Sequence, residues 1–147
     1  MLEPQSPLAH RQYVIAASRQ RVWDLLASTI IQCMPVEQMQ IVNDTTFLGV
    51  LRLKLGAIEV PLRLKVRAAD ISPIESLATV VTVEKGVFQS SLKVTFALTE
   101  AGEKSTSVAC AASEEKGSLL MRLLRRQQRS FAGQMFDSIK QELERSC

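Results

Sequence analysis

Through the middle of the chain, apolar and polar residues alternate with a period of two. From Val50 to Leu55, Leu51, Leu53 and Leu55 share one side while Arg52 and Lys54 take the other. The alternation resumes after Gly56 and Ala57, with Leu62, Leu64, Val66 and Ala68 set against Arg63, Lys65 and Arg67. Successive side chains of a strand point to opposite faces, so this pattern predicts strands with one buried and one wet face, as in an antiparallel sheet. The short link at Gly56 suits a hairpin. Leu77 to Val83 predicts a further strand, which Lys85-Gly86 turns into Val87 to Thr99. There Phe88, Leu92, Val94, Phe96 and Leu98 point one way, and Gln89, Ser91, Lys93 and Thr95 the other. After a turn at Ala101-Gly102, Ser105 to Ala112 predicts a closing strand with Val108 and Cys110 inward.

The two ends of the chain read differently. Residues 1–8 carry two prolines and no periodicity, and are expected to form a loose leader. Ala9 to Ala17 predicts a first strand, with Tyr13, Ile15 and Ala17 on one side. Ser18 is a good N-cap, because its hydroxyl can accept from the unpaired amides of a following helix. That helix is expected over about Arg19 to Ser28, with Val22, Trp23, Leu25 and Leu26 on its apolar stripe. A second short helix or turn is expected over Ile30 to Met34, ending before Pro35 because proline disfavours helical geometry in the residue before it.

From Gly117 to about Arg145 the period changes. Leu120, Leu124, Phe131, Met135, Ile139 and Leu143 fall on one stripe at about 100° per residue. Arg122, Arg126, Arg129 and Lys140 lie opposite, with Phe136 at the edge of that side. A helix of this span is roughly 40 Å long. Its stripe needs a long apolar trough, and the inner face of the sheet is the candidate. The expectation is one α+β domain over residues 9–147.

Composition narrows the class. The chain has 147 residues, 46% of them hydrophobic and 22% charged. That excludes a disordered chain and fits a single core. No apolar run approaches the roughly 18–20 residues that span a bilayer, and Met1 to Pro7 lacks a basic segment followed by an apolar one. A cytoplasmic location is expected, with peripheral association at a membrane as its variant. Cys33, Cys110 and Cys147 are odd in number and far apart, so neither a disulfide framework nor a zinc knuckle is expected. The net charge of +3 is modest and aromatic residues make up 5%. No aromatics interleave the basic strands to stack bases, so nucleic acid is not an expected partner.

Catalytic chemistry finds little support. His10 is the one histidine, and a nucleophile needs a base within reach that a third group orients. Glu114 and Glu115 are adjacent and do not converge as an acid/base pair would. No metal-ligand spacing, phosphate loop or dinucleotide fingerprint occurs. No catalytic residue, metal or cofactor is expected, and the protein is read as a non-enzyme. The basic residues Arg122, Arg125, Arg126 and Arg129 crowd one part of the last helix. They form a solvated face or a surface for an anionic membrane or an acidic protein.

With the element order in hand, the residues resemble the helix-grip (START-like, SRPBCC) superfamily. The resemblance is carried by Ile15-Ala16-Ala17-Ser18 leading to Val22-Trp23-Asp24-Leu25-Leu26, by Met34-Pro35, and by Leu53-Lys54-Leu55-Gly56-Ala57-Ile58. Within it the chain is most similar to the carbon monoxide dehydrogenase CoxG group, with Gly117 matching a glycine before the last helix. The glycines usual between the central strands of that group are thinned here. The resemblance implies a curved antiparallel sheet of about six or seven strands wrapped around a long C-terminal helix, with two short helices after the first strand. It also implies a cavity between sheet and helix for a lipid-like or quinone-like molecule. Leu53, Leu64, Val66, Phe88, Leu92, Val94, Phe96, Phe131 and Met135 are expected to line it, with Met34 and Pro35 at its entrance. Gln128, near the middle of the apolar stripe, would orient a ligand or bond a strand-edge carbonyl. The same inward list also describes a filled core. The subfamily resemblance implies a second function, recruitment of a molybdenum hydroxylase such as carbon monoxide dehydrogenase through the arginine face. A cyclase- or dehydratase-like activity would need pocket-facing titratable groups, for which Tyr13 and Glu142 are the candidates.

Overall fold

The computed structural model describes residues 8–34, 36–86, 88–116 and 119–147, with side chains at all of these except 53, 55, 88, 115, 116 and 119–124. The elements in chain order are β1 (Ala9–Ile15), α1 (Arg19–Cys33), β2 (Val36–Asn43), β3 (Thr46–Leu55), β4 (Ile58–Ser72), β5 (Ser76–Lys85), β6 (Phe88–Gly102), β7 (Ser105–Lys116) and α2 (Leu119–Ser146). The strands form one seven-stranded antiparallel sheet in the order β1-β7-β6-β5-β4-β3-β2. Strands β2 to β7 are thus a meander, and β1 closes the far edge by pairing with β7. This is the expected α+β helix-grip architecture.

The period-two pattern becomes register. Across the concave face, Phe47 pairs with Val66, Val66 with Val81, and Val81 with Leu92. Phe96 pairs with Cys110, and Tyr13 with Val108. These side chains are buried in one cluster with Val22, Leu26 and Ile30 of α1 and Met135, Ile139 and Leu143 of α2. At the turn between β3 and β4, Gly56 has φ +64°, a left-handed conformation that costs a residue without Cβ little.

Where two short helices are expected, a single 15-residue helix runs from Arg19 to Cys33. Ser28 and Thr29 do not break it. The Ser28 hydroxyl donates back to the Leu25 carbonyl at 3.1 Å, and Thr29 and Ile30 continue the buried stripe begun by Val22 and Leu26. Ser18 is the N-cap, accepting from the Arg21 amide at 3.2 Å. Pro35 and Gly117 lie outside the described residues. The first strand ends at Ile15 rather than Ala17, where the chain bends and the Ala17 amide donates to the Ile15 carbonyl. Strand β2 is an element that the alternation does not reveal. Only Val36 and Met39 in it are half-buried, and two register shifts against β3 interrupt its periodicity.

Phe136 is also placed differently. It is fully buried and packs edge-on against Phe96, with ring centroids 5.9 Å apart at 85°. It belongs to the apolar stripe of α2 and not to the basic side.

Candidate functional site

Helix α1 packs against α2, β6 and β7 and stands off the β3–β5 part of the sheet. The gap is a cavity of about 360 Å³. Trp23, Leu26, Ile30 and Ile31 of α1 form one wall; Phe47, Val66, Ala68 and Leu77 of the strands form the other. At its mouth lies the turn between β2 and β3, where the Asn43 side-chain oxygen accepts from both the amide and the hydroxyl of Thr45, at 2.9 and 3.0 Å. Ile41 and Ile71, 68% and 48% exposed, extend the apolar lining to the outside. Asp44 is the sole ionisable side chain among the described lining residues.

A second, smaller space of about 40 Å³ lies under α2. Leu51, Leu62, Leu64, Val81, Val83 and Leu92 provide its aliphatic floor. Ser90 of β6 and Gln127, Gln128 and Phe131 of α2 complete it.

The residues expected to line one cavity are therefore distributed. Val66 lines the larger space; Leu64, Leu92, Gln128 and Phe131 line the smaller. Tyr13, Met34, Val94, Phe96 and Met135 are buried in the core cluster and line neither. The side chains of Leu53 and Phe88 lie outside the described set, as does that of Arg122. Of the other arginines, Arg125 bonds Glu114 at 2.9 Å and Arg129 donates to the Leu8 carbonyl at 3.2 Å, while Arg126 is exposed. The wall contributed by α1 and the β2–β3 turn was not foreseen as a site. The stripe of Trp23 and Leu26 is visible in sequence, but periodicity says which side of a helix is apolar and not whether it packs tightly or stands off.

The titratable groups near the core are not arranged for catalysis. The Tyr13 hydroxyl and the Cys110 thiol lie 3.6 Å apart in the interior. Burial raises both above their ordinary values. Cys110 is pushed up to about 11, an effect that the bond to Tyr13 opposes, and Tyr13 is raised further by the neighbouring thiol. A thiol held protonated is a poor nucleophile. Glu142 pairs with Arg145 and accepts from Ser146 at 3.4 Å, away from both spaces. Among the described residues no group of three or more His, Cys, Asp or Glu could hold a metal. Among them too, no helix is long and apolar enough to cross a membrane.

A curved sheet gripping a terminal helix, with an apolar cavity under the first helix, defines the helix-grip class of ligand-binding folds. The model of the carbon monoxide dehydrogenase CoxG family matches residues 12–146, and the chain belongs to that family. Solved structures agree on the architecture. A conserved protein from Geobacillus kaustophilus superposes with a TM-score of 0.71 at 17% identity, covering 93% of this chain and 95% of its own. A Deinococcus radiodurans protein does so at 0.60 and 8%, covering 94% and 95%. An Arthrobacter aurescens protein reaches 0.62 at 9%, covering 92% and 82%. At such identities the likeness establishes the fold alone. No curated protein matches the chain.

Proposed function

We propose that the protein is a non-enzymatic binding module that holds an apolar, lipid-like or quinone-like molecule between α1 and the β3–β5 wall. The observation that carries this reading is the cavity of about 360 Å³, within the roughly 300–1,000 Å³ typical of small-molecule sites. Its walls are aliphatic and aromatic, and its few polar groups gather at one mouth. An empty apolar space of this size forgoes dispersion contacts that a ligand would restore. The CoxG family membership and the ligand-binding class of the fold support the same reading.

Trp23 lines the cavity and is the chain's single tryptophan, so its fluorescence reports occupancy. Incubation with neutral lipids and quinones, followed by native mass spectrometry, should yield one-to-one adducts and a shift of Trp23 emission. A clean unliganded mass together with unmoved emission overturns the proposal.

A second reading follows from the family's name: recruitment of a carbon monoxide dehydrogenase-type enzyme. The exposed Arg126 on α2 favours it. Arg126→Glu should then abolish co-purification of such an enzyme, and unchanged recovery counts against docking through that face.

A further inference from the structure

The small space under α2 contains polar groups that the fold itself does not use. Its floor is aliphatic, yet Ser90, 2% exposed, faces it together with Gln127 and Gln128. The side-chain carbonyl oxygen of Gln127 is buried and accepts no hydrogen bond. A buried acceptor left without a donor destabilises the protein that carries it. Polar groups converging in an otherwise apolar wall are what orients a small molecule in its site.

The two spaces are also close neighbours. Val66 lines the larger and its directly paired partner Val81 lines the smaller, and the Cβ atoms of such a pair lie about 5 Å apart. On β4, the successive inward residues Val66 and Leu64 divide in the same way, at a separation of roughly 7 Å. A single row of side chains separates them.

We propose that these spaces are two ends of one trough, in which the larger takes the apolar body of the ligand. The smaller end takes a terminal hydrogen-bond donor, a hydroxyl, presented to the buried oxygen of Gln127. The smaller volume of about 40 Å³ suits a group of water-like size, whose share of liquid volume is about 30 Å³. This assignment rests on the binding function proposed above and adds the chemistry of the ligand's end.

The test uses two probes that differ only in the donor, 4-octylphenol and its methyl ether, 4-octylanisole. Trp23 emission reads the body of the ligand in the larger cavity. The phenol should bind roughly tenfold more tightly than the ether, the scale of leaving a buried acceptor unpaired. In Gln127→Met that preference should vanish, and Tm should rise because the unpaired oxygen is gone. Equal affinities with a normal Trp23 response overturn the trough and leave the cavity function standing. A preference that survives in Gln127→Met does the same, and so does a lower Tm of that variant, which would mean the oxygen is already satisfied in the free protein. No Trp23 response to either probe overturns both proposals. The wild-type comparison decides the first point even if the variant does not fold.

Discussion

A terminal nitrogen of Arg11 on β1 lies 2.9 Å from the point where a Cβ on Gly133 of α2 would stand. The bare glycine lets the guanidinium lie across the helix, where its Nε donates to Asp137 at 3.1 Å. Two opposing effects meet here. Glycine within a helix is about 1 kcal/mol less favourable than alanine. The ion pair, with both side chains about half exposed, is worth about 0–1 kcal/mol, and the guanidinium can swing aside. Gly133→Ala should therefore leave Tm unchanged or raise it. The coupling between Arg11 and Asp137, measured in a double-mutant cycle, should fall to near zero in that background. A loss of more than about 1 kcal/mol would show that the guanidinium packs as more than an exposed pair.

Ala68 lines the larger cavity from β4 and is half-buried. Ala68→Leu places three more carbons into existing space, so the usual penalty of overpacking is avoided. Uptake of apolar ligands should be lost, while stability measured by urea unfolding stays within about 1 kcal/mol of the parent.

The joint between β1 and α1 rests on two hydroxyls. Ser18 caps the helix, and the fully buried Thr106 donates to the Ala17 carbonyl at 2.8 Å. Ser18→Ala should cost about 1 kcal/mol. Thr106→Val leaves the Ala17 carbonyl without its donor and should cost about 1–3 kcal/mol. Chemical denaturation of both variants checks the order; a larger loss from Ser18→Ala would be inconsistent with it.

The thiols should separate kinetically. At pH 8 a disulfide reagent should modify exposed Cys147 quickly, half-buried Cys33 more slowly, and buried Cys110 only on unfolding. The same burial makes stability pH-dependent. The Cys110 thiol is pushed up to about 11 from an ordinary 9.0, so the unfolded chain releases its proton first. Stability is full below pH 9 and declines as pH rises toward 11, on the order of 2 kcal/mol over that window. The rise at Tyr13 adds to the decline at the alkaline end. Cys110→Ala should flatten the pH 9–10 portion of the curve, and an identical decline in that variant would exclude Cys110 as its source.

Much of the fold is legible along the chain because burial there repeats with the geometry of the element. Leu62, Leu64 and Val66 alternate with Arg63, Lys65 and Arg67, and the structure buries the first set and exposes the second. Met135, Ile139 and Leu143 recur at helical spacing and all reach the core. Strand β2 escapes this reading because its exposed edge and register shifts erase any periodicity. The end of α1 escapes it because Ser28-Thr29 resembles a break until Thr29 is seen to be buried.

The sequence by itself determined which residues face inward, the order of the elements and the family, since each depends on local spacing. It could not determine where the interior is filled and where it is hollow. Phe96 and Val66 are both inward apolar strand residues, yet one meets Phe136 at 5.9 Å and the other faces open space. That difference depends on how far each helix stands from each strand, a distance set by the packing of the whole core. Only the tertiary structure decides it.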